Sequence, residues 1–178
     1  AEKKGDMSKL GNSDADFEVF YNLLESTATR QKYFIHPKNN YIQIWKRLHP
    51  LGKCHILTTL YQDTPLASWM LFVHDGVIYY PYGGSSEEYR NLFGSIVAGW
   101  EAIKLGKSLN CTVFDMWGAA NSPSDSTDPW HGFTNFKMKF GGNHVKYMNS
   151  YDLVIKDLEY ELFNLANDVR WGLLRTLR

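Results

Sequence analysis

The stretch that decides the fold runs from residue 54 to residue 82 and reads CHILTTLYQDTPLASWMLFVHDGVIYYPY. It contains three runs that are rich in β-branched and aromatic residues, namely residues 54–61, 66–74 and 77–82. Asp75-Gly76 separates the second run from the third and is a strong signal for a tight hairpin turn. The stretch therefore predicts an antiparallel meander of three strands.

Two helices are predicted before the meander. Ser13 precedes apolar positions at helical spacing, and it can form a capping box with Asp16 three residues further on. We expect this helix to end near Arg30. Pro37 suits the first turn of a second helix, and Pro50 suits its end.

A strand-to-helix turn is predicted directly after the meander. Gly83-Gly84 supplies the backbone freedom for a tight turn, and Ser85 or Ser86 can cap the helix that follows. We expect this helix to continue to about Lys107.

The rest of the chain predicts a buried strand, a long loop, a short helix, another strand and a closing amphipathic helix, at residues 112–117, 118–129, 129–142, 144–155 and 157–177. The resulting order is α-α-β-β-β-α-β-α-β-α, in the α/β (α+β) class, with a mixed, mostly antiparallel sheet flanked by helices. This order resembles the acyltransferase fold of the N-acetyltransferase superfamily (GNAT-like). In that fold two neighbouring strands splay apart to admit an acyl carrier.

Composition narrows the function. The 178 residues are 44% hydrophobic and 21% charged, which predicts one globular domain with a substantial core. Lys and Arg together number 19, as do Asp and Glu, so a polyanion would have to meet a local patch. The two cysteines and six histidines show neither metal-ligand spacing nor a nucleophilic triad pattern. We therefore predict no metal site and no activated protein nucleophile.

The segment GFTNFKMKFGG, residues 132–142, places two lysines among three phenylalanines. Such an aromatic frame is expected to fix the backbone and to hold at least one ammonium in place. A positioned cation beside apolar walls can bind phosphate or stabilise an oxyanion. The pattern alone leaves open which of the two lysines, Lys137 or Lys139, is that cation.

Coenzyme A is a poor match to the turn after the meander. A Gly-rich turn that cradles pyrophosphate relies on free backbone N–H groups and favours nearby positive charge. Here Glu87 and Glu88 follow the glycines, and the first basic residue is Arg90.

The segment Tyr79-Tyr80-Pro81-Tyr82 suggests a ligand contact. Strand alternation predicts Tyr80 and Tyr82 on one face and Tyr79 on the other. Pro81 cannot donate to a ladder, so the strand is expected to be an edge or to splay here. The two phenols could bind a ligand at the mouth of the splay, or they could be core tyrosines with hydroxyls at the rim.

Two charged residues allow both a structural and a functional interpretation. Arg30 can compensate a helix dipole, and its planar fork also suits a phosphate or carboxylate. Asp115 lies in an otherwise apolar strand and is expected to give structural support.

Five segments together resemble one family: TATR, YYPYGGSSEEYR, GWEAIKLGK, FDMWG and GFTNFKMKFGG. In this order, over about residues 13–155, they resemble the C-terminal acyltransferase-like domain of the Fem family of non-ribosomal peptidyltransferases. The resemblance implies transfer of an amino acid from aminoacyl-tRNA to the stem peptide of a peptidoglycan precursor, either UDP-linked or lipid-linked. It also implies that aminoacyl-tRNA is a co-substrate and that no cofactor is needed.

By the same resemblance the chain is the second of two tandem domains. Residues 1–12 are then a remnant of the inter-domain helix or linker, and residues 13–178 are the second domain. Removal of an initiator methionine before Ala1 explains the first residue equally well. Without its N-terminal domain, the isolated chain is expected to be inactive.

The resemblance also implies roles for individual residues. Lys137 matches the family lysine that stabilises the oxyanion of the reacting ester, so Lys139 is expected to be a surface charge or a weak contact to the tRNA backbone. Arg30 matches an arginine that holds the diphosphate of the precursor, while Tyr80 and Tyr82 match aromatics that line the precursor site. Phe136 matches an aromatic that directly precedes the lysine.

Two other functions remain open from the sequence. One is an acyl-coenzyme A-dependent N-acyltransferase, and the other is a non-catalytic module that binds sugar nucleotides or tRNA. No segment has the pattern of a signal peptide or of a run of 18 apolar residues. We therefore expect a cytoplasmic protein, with the inner face of the membrane as a place where it could act.

Overall fold

A computed structural model of the chain describes residues 7–176. The strands in this range are β1 (Met7–Gly11), β2 (Cys54–Tyr61), β3 (Thr64–His74), β4 (Val77–Ser85) and β5 (Val113–Asp115). The α-helices in the same range are α1 (Asp14–Gln31), α2 (Lys38–Leu48), α3 (Gly94–Ser108), α4 (His131–Met138) and α5 (Asp157–Thr176). These elements fall into two compact units, one that ends at Gly142 and one that begins at Asn143.

The first unit is built on a sheet with the strand order β1-β2-β3-β4-β5. The first four strands pair antiparallel, and β5 pairs parallel to β4. The predicted meander is confirmed as β2, β3 and β4. Both of its hairpin turns use two consecutive residues with positive φ, Gln62-Asp63 and Asp75-Gly76, which matches the twist of antiparallel strands. The predicted mixed, mostly antiparallel α/β fold is therefore confirmed.

Helices cover both faces of this sheet, because the strand residues alternate between two cores. The first core packs α1 and α2 against one face and includes Phe17, Phe20, Tyr41, Trp45, Ile56 and Met70. The second packs α3 against the other face and includes Leu57, Trp69, Leu71, Ile78, Ala98 and Ala102. Adjacent residues such as Trp69 and Met70 thus serve different cores.

The N-terminus differs from the linker predicted for residues 1–12. Met7–Gly11 forms β1, an edge strand that pairs with β2, so these residues belong to the sheet. The predicted helix remnant at residues 1–4 lies outside the described residues. The capping box of α1 is confirmed and also reaches β1, because Asp16 accepts a 2.7 Å hydrogen bond from Lys9 Nζ.

The prediction of a tight turn at Gly83-Gly84 is wrong, because both glycines lie within β4. Their small size serves close packing instead. A Cβ on Gly84 would overlap the backbone of Leu23 and Leu24 in α1, and a Cβ on Gly83 would lie 2.7 Å from the Trp69 ring. The glycines therefore let α1 and the ring of Trp69 lie directly against β4.

Two further boundaries differ from prediction. The helix expected from Ser85 or Ser86 begins only at Gly94, after a short 3₁₀ turn at Arg90–Leu92. The strand expected at residues 112–117 is shorter, Val113–Asp115, and Val113 is 52% exposed rather than buried. Because β5 lies at the sheet edge, it has a neighbouring strand on one side only.

The second unit contains α5, which confirms the closing helix. The strand predicted at residues 144–155 is not formed, because this stretch pairs with no strand in the described part of the chain. Its apolar side chains are exposed, for example Leu153 at 90%. An alternating pattern alone does not make a strand without a partner that takes up its backbone hydrogen bonds.

Loss of the Asp16 carboxylate is expected to destabilise the first unit. Burial raises the pKa of Asp16, but hydrogen bonds from Lys9, Ser13 and two backbone N–H groups outweigh this effect and hold the pKa well below its usual value. Asp16→Asn should therefore cost about 2 kcal/mol of unfolding free energy at pH 7, measured by urea denaturation.

The contribution of Asp16 to the unfolding free energy should depend on pH in a definite direction. A depressed folded-state pKa stabilises above the unfolded value of about 3.9, and the stabilisation is lost as the pH falls below that value. The difference between wild type and Asp16→Asn should shrink as the pH falls from 5 to 2. Asp14→Asn, in the same helical turn but 72% exposed, is the control and should change little. Equal effects of the two variants at pH 7 would contradict this assignment.

Gly84→Ala tests the close approach of α1 to β4. The new methyl group would overlap helix backbone, which cannot move aside like a flexible side chain, so we expect a loss of at least about 3 kcal/mol. Gly132→Ala is the control, because its Cβ would enter open space in a helix and should be neutral or stabilising. Thermal unfolding of both variants gives the comparison, and a neutral Gly84→Ala would show that the two elements separate easily.

Candidate functional site

The site depends on a bulge in β4. Met70 pairs with Tyr82 and Phe72 pairs with Tyr79, so one residue of β3 faces two residues of β4. The extra residue falls at Tyr80-Pro81, where proline has no N–H to donate to the ladder. The bulge shifts the alternation of side chains for the rest of the strand.

Because of this shift, the prediction that Tyr80 and Tyr82 share a face is wrong. Tyr82 packs in the first core, edge-on to Tyr41 with ring centroids 5.1 Å apart. Tyr80 lies on the other face and stacks on Trp69 at 3.6 Å. A strict period of two would place them together, and the extra residue separates them.

The strands also separate at this point. Three residue pairs join β4 to β5, and the last of them is Tyr79↔Asp115. After this pair, β4 continues through Pro81, while the segment that follows β5 turns away at Trp117. The splay expected near Pro81 is therefore present.

Lys137 lies where the two strands separate. Its Nζ donates a 2.7 Å hydrogen bond to the carbonyl of Gly118, which follows β5. The same ammonium lies 5.7 Å from the ring centroid of Tyr80, which follows the last pair on β4. It is also 4.6 Å from the ring centroid of Phe133. The sequence prediction of a cation held among aromatic rings is confirmed as geometry.

Helix α4 is held firmly enough to fix this cation. Thr134 is fully buried, donates to the carbonyl of Trp130 at 2.7 Å and accepts from the N–H of Ala120 at 2.8 Å. Phe136 packs edge-on to Trp69 in the second core. Thr134 thus connects α4 to the preceding loop, and Phe136 packs α4 against the sheet.

Two opposing effects set the pKa of Lys137. Burial lowers its pKa from 10.5 to about 8, and the negative charge of Asp115 opposes that shift. At neutral pH most molecules still carry the ammonium, which has three N–H donors, one of them bonded to Gly118. The group can therefore present N–H donors to a developing negative charge in a partly dry site.

Arg30 is bound to the end of β4. Its guanidinium donates to the carbonyl of Ser85 at 3.2 Å and to the hydroxyl of Thr27 at 3.4 Å, and its Nε lies 3.8 Å from a carboxylate oxygen of Glu87. These contacts join the last turn of α1 to the strand. Its role in binding a diphosphate remains a prediction, as do the substrate contacts of Tyr80, Tyr82 and Phe136.

Sequence reasoning did not identify two partners of Lys137. The carbonyl of Gly118 is a backbone group, so no residue type signals it. Asp115 stood out as a carboxylate in an apolar strand, but its electrostatic link to Lys137 depends on the turn after β5. The exposed rings of Trp117 and Trp130, at 59% and 51%, also border this turn.

Within residues 7–176 no group of three or more His, Cys, Asp or Glu side chains could hold a metal ion. Burial raises the pKa of the Cys54 thiol to about 12, which leaves it unreactive. None of the helices in that range is long and apolar enough to cross a membrane.

Comparison with known families assigns the chain. The sequence model of the FemAB family matches residues 52–168, about two thirds of the chain. The chain belongs to the FemAB family. The match covers the meander, α3, β5 and α4, and with them the residues described above around Lys137. No curated protein matches the sequence.

Solved structures confirm the fold. FemX superposes with a TM-score of 0.68 at 15% identity, over 76% of this chain and 50% of FemX, so this FemAB-family chain spans about half the length of FemX. An aminoglycoside acetyltransferase from an uncultured soil metagenomic sample, in complex with sisomicin, gives 0.62 at 6% identity over 88% of this chain and 100% of its own. An aminoglycoside 6′-N-acetyltransferase from Acinetobacter haemolyticus gives 0.57 at 13% identity, over 84% and 99%.

Replacement of Lys137 by methionine is expected to stabilise the protein at pH 7. Methionine has a similar shape and removes the cost of holding an ammonium in a partly dry site, a gain of about 1 kcal/mol after allowance for solvent screening. The unfolded chain binds more protons than the folded chain between pH 8 and 10.5, so wild-type stability should rise with pH in this window. The difference in unfolding free energy between wild type and Lys137→Met should therefore shrink as the pH rises from 8 to 10.5.

Lys139→Met is the matched control, because Lys139 is exposed and two residues away. We expect its unfolding free energy to stay within about 0.5 kcal/mol of wild type. Chemical denaturation at pH 7 and pH 10 measures both effects. If Lys137→Met is destabilising at pH 7, the ammonium is a structural contact rather than a costly functional group.

Proposed function

We propose that this chain is the second acyltransferase-like domain of a longer aminoacyltransferase. The whole protein would transfer an amino acid from aminoacyl-tRNA to the stem-peptide amine of a peptidoglycan precursor. The observation that carries the proposal is the ammonium of Lys137, held between the separating ends of β4 and β5 in a FemAB-family chain. The 50% coverage of FemX supports the part of the proposal that the whole protein is longer than this chain.

The chemistry of the reaction fits a site with one positioned cation. The acceptor amine attacks the ester carbonyl of the aminoacyl group, and a C–N bond forms. The bond to the tRNA ribose oxygen then breaks, and the proton lost by the amine ends on the departing ribose hydroxyl. Since the substrate brings its own nucleophile, the protein must align two substrates and stabilise a tetrahedral oxyanion.

Lys137 is the group that we assign to this oxyanion. A donor held in place before the reaction costs little reorganisation when negative charge develops. The hydrogen bond to Gly118 and the rings of Tyr80 and Phe133 provide that fixed position. The ammonium form is the active one, so transfer should decline as the pH rises past about 8.

The remaining roles concern the precursor. Arg30 would bind its diphosphate, for which the guanidinium must exchange its pair with Glu87 for the new anion. Tyr80, Tyr82 and Phe136 would line the site, with Tyr80 and Tyr82 on opposite faces of β4. No cofactor is proposed beyond aminoacyl-tRNA as co-substrate, and the reaction would take place in the cytoplasm, where charged tRNA is found.

The direct experiment measures transfer from charged tRNA in the longer protein. Lys137→Ala should lower kcat about 10²–10³-fold, the usual loss for one oxyanion donor, while precursor binding survives. Lys139→Ala is the control and should retain kcat. If Lys137→Ala keeps wild-type kcat, the lysine has no catalytic role.

Two further measurements separate the alternatives. The isolated chain should not transfer the amino acid, and a normal rate from it would contradict the two-domain proposal. Calorimetry with acetyl-coenzyme A should show no binding, because Glu87 and Glu88 add negative charge to the connection between β4 and α3, which a pyrophosphate at the start of α3 would have to approach. Binding there would favour an acyl-coenzyme A transferase, whose fold this chain shares. Ligand binding with no transfer by the longer protein would indicate a non-catalytic module.

A further inference from the structure

Asp115 closes a tight turn directly after β5. Its Oδ1 accepts a 2.6 Å hydrogen bond from the N–H of Trp117. Trp117 has a φ of +66°, a conformation that a tryptophan rarely adopts and that its surroundings must hold in place. The hydrogen bond from the carboxylate is a local interaction that supports this backbone.

The turn places the carbonyl that binds Lys137. Gly118 follows Trp117 directly, and its oxygen accepts the 2.7 Å hydrogen bond from Lys137 Nζ. Gly118 also packs closely under the ring of Trp130, since a Cβ on it would lie 3.1 Å from that ring. The position of the lysine thus depends on the backbone that Asp115 holds.

Asp115 acts on Lys137 a second time through its charge. The titratable groups that face the ammonium from neighbouring strands are Asp115 on β5 and Tyr80 on β4, while Lys139 is exposed on the same segment as Lys137. Burial, together with nearby Tyr33, raises the pKa of Tyr80, so its phenol stays neutral at physiological pH. The carboxylate of Asp115 therefore supplies the opposing charge for a partly buried cation.

We propose that Asp115 is a positioning residue for Lys137, which shapes the turn that presents the Gly118 carbonyl and supplies the negative charge that keeps the lysine an ammonium. The effect of Asp115 on catalysis rests on the proposed function. The effect of Asp115 on the protonation of Lys137 is independent of that function and can be measured without any substrate.

Asp115→Asn separates the two effects. The amide oxygen of asparagine can still accept from the N–H of Trp117, so the turn is kept while the charge is removed. Asp128→Asn is the matched control, because Asp128 makes the same kind of bond to the N–H of Trp130, at 2.7 Å. The control should leave the titration of Lys137 unchanged.

The first measurement follows the reaction of Lys137 with acetic anhydride as a function of pH, read by mass spectrometry of the labelled peptide. In Asp115→Asn the midpoint should fall by about one pH unit, a tenfold change in the ratio of amine to ammonium. An unchanged midpoint overturns the proposal. If Asp115→Asn does not fold, Asp115→Ser replaces it, because the serine hydroxyl can still accept from the N–H of Trp117 and carries no charge. It should lower the labelling midpoint of Lys137 in the same way, and an unchanged midpoint would again overturn the proposal.

The second measurement is the pH profile of transfer by the longer protein. In Asp115→Asn the alkaline decline of kcat should move to lower pH by the same interval as the labelling midpoint, with KM for the precursor little changed. A shifted labelling midpoint with an unshifted kcat profile would contradict the proposed role of Lys137 and leave the link between Asp115 and Lys137 intact. A uniform loss of kcat at all pH values would show that Asp115 acts through the fold alone.

Discussion

The bulge at Tyr80-Pro81 is the constraint on which the site depends. A strand with regular alternation would place Tyr80 and Tyr82 on the first core, and Trp69 would lose the ring that stacks on it. The same irregularity coincides with the end of pairing between β4 and β5. The bulge thus places an aromatic face at the gap, over which a cation can lie.

The cation in this gap is a compromise between stability and chemistry. Burial pulls Lys137 towards the neutral amine, while Asp115 and the Gly118 carbonyl favour the ammonium. A protein selected only for stability would place an apolar side chain there. The cost of a tethered, partly dry ammonium at a strand splay fits the proposal that Lys137 stabilises negative charge that develops in the reaction.

The sequence was most informative where the interactions are local. The capping box of Ser13, the hairpin at Asp75-Gly76 and the lysine framed by phenylalanines each depend on residues close in the chain. Interactions between distant segments were not predicted. Gly84 is required by α1, and residues 144–155 lack a partner strand within the described part of the chain. Neither fact is visible in the local pattern.

In the candidate site, too, local features could be predicted and contacts between distant segments could not. Residue type and neighbours singled out the lysine pair, and the family resemblance selected Lys137 from it. The hydrogen bond of Lys137 goes to a backbone carbonyl 19 positions away, which has no signature in the sequence.

The most direct measurement is a crystal structure of the longer protein with a phosphonate that mimics the tetrahedral intermediate between the tRNA 3′ end and the acceptor amine. We predict an anionic phosphonate oxygen about 3 Å from Lys137 Nζ. A phosphonate bound by other groups, with Lys137 still bonded only to Gly118, would contradict the catalytic role of this lysine.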